Sequence, residues 1–444
     1  MIDVTVRKGH DLNISGRPEH DLEVIETPPR LAVLPEHIPF VIPRLRVEPG
    51  DQVKIGTVLF EDKRDTSLVF LSPGAGVIED IRYGKRRVIR EIVIRLDEEE
   101  DMEHFPKTDS AELELMDGPS VINLLVNGGL WPCIRELPFR DIASRQQSPS
   151  SVIVSLDARD SCSPSPHVYL QGRVDLFLFG LSILRRIAST IHVMISGPPH
   201  DLPDSIKEQI THRVHGSYPC DDPGVLLYHI KKSQEENRAF YVNGQDLVLM
   251  AGLVRDGVYP TRKIIAVGGA GSEERKHFNV RIGTPLESVI GEVEDAMNVV
   301  AGGVMRGYSL SPDSFLGYYE SSLTLLPRGD EEEFFGFLRP GYRRQSYSRT
   351  FLSLFNRSAL PMDCGMHGDL RPCINCGSCA SVCPVDILPQ FTFKCIQADE
   401  VEEYLAHGLL DCVECGLCTY VCPCKIDVCD ILKTARAVYY KERA

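Results

Sequence analysis

Apolar positions alternate in short runs over the first hundred residues, and turn-forming residues break the runs. The breaks are Pro28-Pro29, Glu48-Pro49-Gly50-Asp51, Gly56, Ser72-Pro73-Gly74 and Tyr83-Gly84. A period of two interrupted in this way predicts β-strands, so residues 1–100 read as a β domain. Residues 101–255 change rhythm. Asp117 to Val126 and the largely apolar Leu176 to Thr190 have helical spacing, while Ser151–Ser155, Ile191–Ile195 and Gly224–Tyr228 read as strands. That alternation is an α/β pattern. Residues 256–325 turn strand-rich again, with Arg262–Val267, Phe278–Ile282 and Val299–Gly303 as strands and Leu286–Gly291 as a short helix. Residues 326–362 read as a linker, acidic at Asp330 to Glu333 and then basic through Arg339, Arg343, Arg344, Arg349 and Arg357. In residues 363–444, Ala398 to Leu410 and Asp427 to Tyr440 are helix-like.

The expected fold class is therefore multidomain α+β. The half-repeats Val47 to Leu59 and Ser72 to Ile78 resemble those of a biotinyl/lipoyl-like barrel-sandwich hybrid. Residues 101–255 are expected to be Rossmann-like, and residues 256–325 resemble a small β-grasp (SLBB-like) module. The last domain is expected to be an α-helical ferredoxin domain. Lys63 lies roughly where carrier domains modify a lysine, but its neighbours Glu61, Asp62 and Arg64 suit a solvated turn better.

A formal net charge of −15 argues against nucleic acid as the partner. No stretch approaches the 18 uncharged apolar residues of a membrane span. The start, Met-Ile-Asp-Val, carries no signal-peptide core. A reducing cytoplasm is the expected home, where thiolates persist.

The cysteines bring the chemistry. Eight of the fifteen form two runs, Cys373-x2-Cys376-x2-Cys379-x3-Cys383-Pro384 and Cys412-x2-Cys415-x2-Cys418-x3-Cys422-Pro423. This is the ligand run of bacterial two-cluster ferredoxins, in which the fourth cysteine of each run serves the other cluster. Three thiolates in seven residues wrap three corners of one cube, and the Cys-Pro segment departs. One [4Fe-4S] cluster is thus assigned to Cys373, Cys376, Cys379 and Cys422, and a second to Cys412, Cys415, Cys418 and Cys383. Structural zinc uses two separated pairs instead, and disulfides call for an oxidising compartment. Cys424 and Cys429 lie near enough in sequence to line the cluster pockets. Gly128-Gly129 is a candidate for close approach of a cofactor phosphate, set against a plain turn. Gly268 to Gly271 follows a strand, but Ser272-Glu273-Glu274 favours a turn there too.

Longer stretches carry a resemblance. They are Arg7 to Gly16, Val47 to Lys63, Gly128-Gly129-Leu130-Trp131 with Arg135-x2-Pro138-Phe139, Phe335 to Gly341, and Ser348 to Leu352. Over most of its length the chain is similar to the NqrA family, one of the component chains of Na⁺-translocating NADH:quinone reductases. The two complete cysteine runs are instead similar to those of RnfC, a component of Rnf ferredoxin:NAD complexes. The resemblance implies a peripheral electron-transfer component of a membrane redox pump, placed at the quinone-reducing end. Its partners would be the pump's membrane subunits, on the cytoplasmic face of the bacterial inner membrane. NADH and a quinone would be substrates of the whole complex. The rival readings are an Rnf-type component that binds flavin or NADH, and a scaffold whose clusters are structural.

Overall fold

The computed structural model describes all residues except 147–148, 161, 234–235, 330–334, 336–337, 349 and 443–444. The acidic Asp330 to Glu333 and the basic Arg349 of the expected linker, and Gly336 and Phe337 of the resemblance, lie outside the described residues. Residues 30–96 form two facing sheets. One has the order Arg30–Val33, Ile89–Leu96, Gly76–Tyr83, Gln52–Val53; the other runs Pro43–Leu45, Val58–Asp62, Asp65–Leu71. Between them Phe60 and Phe70 stack with ring centroids 4.6 Å apart, fully buried with Leu31, Leu59, Ile78, Ile92 and Ile94. Lys63 sits exposed in the turn after Val58–Asp62. Its neighbour Arg64 is pinned, bridging Asp62 at 2.8 Å and Asp141 of the next domain at 2.6 Å. A swinging carrier tip would need that anchor to be absent.

The α/β domain is built on a seven-stranded sheet. Its order is Ile2–Thr5, His212–His215, Ile191–Ile195, Val152–Ser155, Ala239–Asn243, Arg135–Leu137, Asp141–Ile142, with the first five strands parallel. The helices Val174–Ile187 and Gly244–Asp256 pack closely, because Gly180 carries no Cβ to strike Leu247, which would lie 2.7 Å away. Trp131, fully buried, donates from Nε1 to the Ala143 carbonyl at 2.8 Å.

Three expectations are corrected here. Gly224–Tyr228 is not a strand but part of the helix Pro223–Ile230. A short apolar run is ambiguous by periodicity. Asp222 decides it by accepting from Gly224 N–H at 2.7 Å, with Pro223 in the first turn. Not all strands of residues 1–100 pair within one module. Ile2–Thr5 pairs in parallel with His212–His215 in the α/β sheet, and Leu22–Val24 pairs with His277–Arg281 of the third domain. Alternation predicts a strand but carries no information on its partner. The helix expected from Ala398 starts at Val401, because Asp399 takes a positive φ of 59° and divides it from a preceding helix, Pro389–Gln397.

The third domain has the sheet order Tyr308–Leu310, Met297–Ala301, Ser322–Pro327, Arg262–Gly268, His277–Arg281, Leu22–Val24. Arg262–Gly268 is antiparallel to His277–Arg281 and parallel to Ser322–Pro327. The helix Glu287–Ile290 lies in the crossover. Among the described residues, 363–442 contain no strand; five short helices, from Ser378–Val382 to Val428–Lys441, carry the cysteine loops. These loops are not a separate bead. Val382, Val385, Ile387, Leu409, Val413 and Leu417 share one apolar core with Ile153, Val214, Val225 and Leu226 of the α/β domain. No described helix is long and apolar enough to cross a membrane.

Candidate metal centre

The two cysteine runs lie in different surroundings. Cys373, Cys376 and Cys379 line one small pocket together with Cys422, and Phe393, Cys424 and Val428 complete its wall. Cys422 belongs to the second run, and Cys383, the fourth cysteine of the first, is not on this wall. Gly377, with a φ of 75°, turns the chain so that the helix Ser378–Val382 can start between Cys376 and Cys379. The Asn375 N–H donates to Cys373 Sγ at 3.4 Å. Hydrogen bonds from Ser378 hold the Cys376 thiol below its usual range, whereas burial pushes Cys379 up. Cys376 is exposed, so this set meets solvent.

The second set is inside the molecule. Cys415 and Cys418 are buried, and Cys383 lies within electrostatic reach of Cys415. Burial pushes Cys383 up to about 11 and Cys415 up to about 12, and raises Cys412 as well. A shared hydrogen bond with Cys429, together with burial, raises Cys418, and the same bond lowers Cys429 against the opposing effect of burial. Left alone, the buried ligand thiols favour the neutral form, and a coordinating metal deprotonates such groups outright.

Three parts of the chain clamp the second loop. From the α/β domain, Tyr218 donates its hydroxyl to the Cys415 carbonyl at 2.9 Å, and Arg140 Nη2 reaches the Val413 carbonyl at 3.2 Å. From the last helix, the buried Arg436 bonds the Cys412 carbonyl and Glu414. From the third domain, Arg306 pairs with Asp222 at 2.6 Å, and its charge opposes the rise of the Cys415 thiol. The Arg306 side chain keeps 27% of its surface, yet Nε and Nη2 are covered and have no acceptor among the described residues. An unpaired buried donor costs about 1–3 kcal/mol. An anionic group at Cys415 answers that cost, and the donor set fits a thiolate-bound cluster. Among the described residues no three Cys, His, Asp or Glu side chains converge on a single ion. Zinc would draw its sulfurs to about 3.8 Å of one another, given Zn–S bonds near 2.3 Å, whereas a cube spreads its ligands over four corners.

Gly128-Gly129 is a packing turn and not a phosphate loop. Gly128 closes the helix Gly118–Asn127, and Gly129 takes a φ of 66°. Both are buried; added Cβ atoms would come within 2.2 Å of Leu253 and 2.6 Å of Leu71. The turn after Gly268 packs on the N-terminal segment, with Gly269 N–H donating to the Gly16 carbonyl at 2.8 Å. In the linker, Arg339, Arg343 and Arg357 are exposed, while Arg344 lies over the Phe351 ring at 5.4 Å. Sequence reasoning missed Arg140, Tyr218, Arg306 and Arg436, which reach the second loop from distant positions and carry no local signal. Asp222, which orients two of them, was open to recognition as the cap in Asp222-Pro223-Gly224.

Comparison with known proteins agrees with this organisation. Residues 4–97 match the NqrA N-terminal barrel-sandwich hybrid domain, residues 116–259 the NqrA second alpha/beta domain, and residues 372–426 a 4Fe-4S dicluster domain. The chain is 28% identical over 415 residues to the NqrA chain of the Na(+)-translocating NADH-quinone reductase of Shewanella amazonensis, covering 92% of each. The corresponding chain of Pseudomonas aeruginosa is likewise 28% identical, over 413 residues, with 92% of each covered. The NAD⁺-reducing [NiFe]-hydrogenase aligns at 12% identity over 52% of each chain, with a TM-score of 0.33 that carries no argument. With both NqrA domains in order and a dicluster domain behind them, the chain is similar over most of its length to the NqrA chains of the Na(+)-translocating NADH-quinone reductases.

Proposed function

We propose that this chain is the peripheral electron-transfer component of a Na⁺-translocating NADH:quinone oxidoreductase, at its quinone-reducing end. It would hold two [4Fe-4S] clusters, one on Cys373, Cys376, Cys379 and Cys422, the other on Cys412, Cys415, Cys418 and Cys383. The observation that carries the reading is that Cys422 lines the pocket of the first three cysteines; Cys383, within electrostatic reach of Cys415, supports the reciprocal assignment. When bound, each cluster supplies a one-electron carrier. The protein's part is to present the first set to solvent, where a redox partner can dock, and to hold the second against the α/β domain.

The domain limits proposed are 1–100, 101–255, 256–325, 326–362 and 363–444, with strands Ile2–Thr5 and Leu22–Val24 lent to neighbouring sheets. For 256–325 the β-grasp (SLBB-like) reading is supported by the strand order. An antiparallel pair is followed by a helical crossover and a second antiparallel pair, and the last strand runs parallel beside the first. Association with membrane subunits on the cytoplasmic face fits the family and the described helices, which include no membrane span. The Rnf-type alternative gains no support from the covered Gly128-Gly129 pair.

Serine variants of single ligands test the relay. Anaerobic wild-type protein should hold about eight irons and show two paramagnetic centres on reduction. Cys376→Ser and Cys422→Ser should remove one and the same signal, and Cys415→Ser and Cys383→Ser the other. If Cys422→Ser removes the signal that Cys415→Ser removes, the crossing is wrong. About four irons in the wild type would overturn the two-cluster reading.

A further inference from the structure

Arg306 sits in the loop between Met297–Ala301 and Tyr308–Leu310 of the third domain, yet its guanidinium is used elsewhere. It projects into the seam where the α/β domain meets the second cysteine loop. Nη1 pairs with Asp222 at 2.6 Å, and Cζ lies 5.6 Å from the centre of the Tyr218 ring. That same Tyr218 hydroxyl holds the Cys415 carbonyl at 2.9 Å. The neighbouring Met305 carbonyl lies so close to Gly416 that a Cβ there would stand 2.5 Å from it. The loop thus touches the ligand loop with its backbone, while Arg306 brings a positive charge beside Cys415. Asp222 serves two arginines, Arg140 at 2.8 Å and Arg306. Asp222 is thus shared between two guanidiniums, and Asp221 and Glu414 also act on them. Nε and Nη2 of Arg306 remain without an acceptor among the described residues. The first set has different surroundings: Cys376 is open to solvent, and Lys394, on the helix Pro389–Gln397, reaches Asn375 of its loop at 3.4 Å.

A cluster with four thiolate ligands is anionic, and reduction adds one more negative charge. A fixed, covered cation stabilises the reduced form more than the oxidised one, and net charge and hydrogen bonds to sulfur are the protein's levers on potential. We infer that Arg306 is a positioning residue of the third domain that raises the reduction potential of the cluster held by Cys412, Cys415, Cys418 and Cys383. This rests on the two-cluster reading above. It makes the third domain part of the redox unit and not a spacer, because the potential of one domain's centre is set by another domain's side chain.

The test is a mediated redox titration of the full chain, anaerobic and followed by electron paramagnetic resonance, with iron counted on every sample. Arg306→Gln should move one midpoint to more negative potential, that of the signal lost in Cys415→Ser, and leave the other in place. Arg306→Lys, which keeps the charge, should stay near the wild type. Should Arg306→Gln fail to fold or to load iron, Asp222→Asn tests the same charge with the opposite sign, and the same midpoint should move positive. The inference is overturned if the charge-removing variants carry both clusters and neither midpoint moves. It is equally overturned if both midpoints move together, or if Arg306→Lys shifts as far as Arg306→Gln. Failure of the underlying reading is separate, since the wild type would then show a single centre or half the iron.

Discussion

Gly377 and Gly416 hold the same place in the two cysteine runs, and a pair of alanine substitutions there separates backbone strain from domain contact. Their φ angles are 75° and 77°, both left-handed. An alanine in that region costs about 1–2 kcal/mol, and this cost is common to both sites. Their surroundings differ. A Cβ on Gly377 meets nothing within 4 Å, whereas one on Gly416 stands 2.5 Å from the Met305 carbonyl oxygen. Backbone cannot swing away as a side-chain tip can, so Gly416→Ala must push the second loop off the third domain. Overpacking of this kind adds about 1–3 kcal/mol. Gly377→Ala should therefore lose about 1–2 kcal/mol and Gly416→Ala about 2–5 kcal/mol. The assay is denaturant unfolding of the cluster-loaded chain, followed by loss of the sulfur-to-iron absorption. Gly416→Ala should also alter the paramagnetic signal that Cys415→Ser removes. Equal losses at the two glycines, or a greater loss at Gly377, would refute the idea that the second loop is wedged against Met305.

Two further outcomes are expected. Asp222→Ala leaves Arg140 and Arg306 without their carboxylate, and breaking a buried pair of this kind costs about 3–5 kcal/mol, measurable by urea unfolding. Burial alone would raise the Asp222 carboxyl, but Arg140 and Arg306 hold it at about 2. Its contribution is thus present above the ordinary carboxylate range near 3.8 and disappears as pH falls through about 2. The cluster-free chain should respond to base. Burial lifts Cys383 to about 11 and Cys415 to about 12, from an ordinary value of 9.0, so the folded apo form binds protons that the unfolded chain releases. Stability should hold below about pH 9 and fall as pH climbs toward 12, while the loaded protein, whose thiolates are already metal-bound, shows no such fall. A thermal melt of both forms across that range checks the difference.

The dicluster domain was legible in the sequence because its pattern is local: three cysteines fall within seven residues, twice. The sequence also led to the expectation that each fourth thiol serves the other run, and Cys422 does line the pocket of Cys373, Cys376 and Cys379. Arg140, Arg306 and Arg436 were not legible. Each is an ordinary arginine in its own stretch and becomes part of the site only when three domains meet. Gly224–Tyr228 defeats a strand reading because an apolar run of that length satisfies strand and helix equally, and only Asp222-Pro223 marks it as a helix start. Gly128-Gly129, weighed in the sequence between a phosphate approach and a plain turn, packs against Leu253 and Leu71.

The placement of the first 25 residues has a consequence for synthesis on the ribosome. Ile2–Thr5 emerges well before its partner strand His212–His215; Leu22–Val24 waits for His277–Arg281, and Ile14 bridges to Leu360. At about 5–20 residues per second, the leading segment stays unpaired for tens of seconds while the barrel-sandwich behind it can already close. The beginning of the chain therefore acts as a late fastener. It laces the α/β domain, the third domain and the approach to the cysteine loops together only after each has been made.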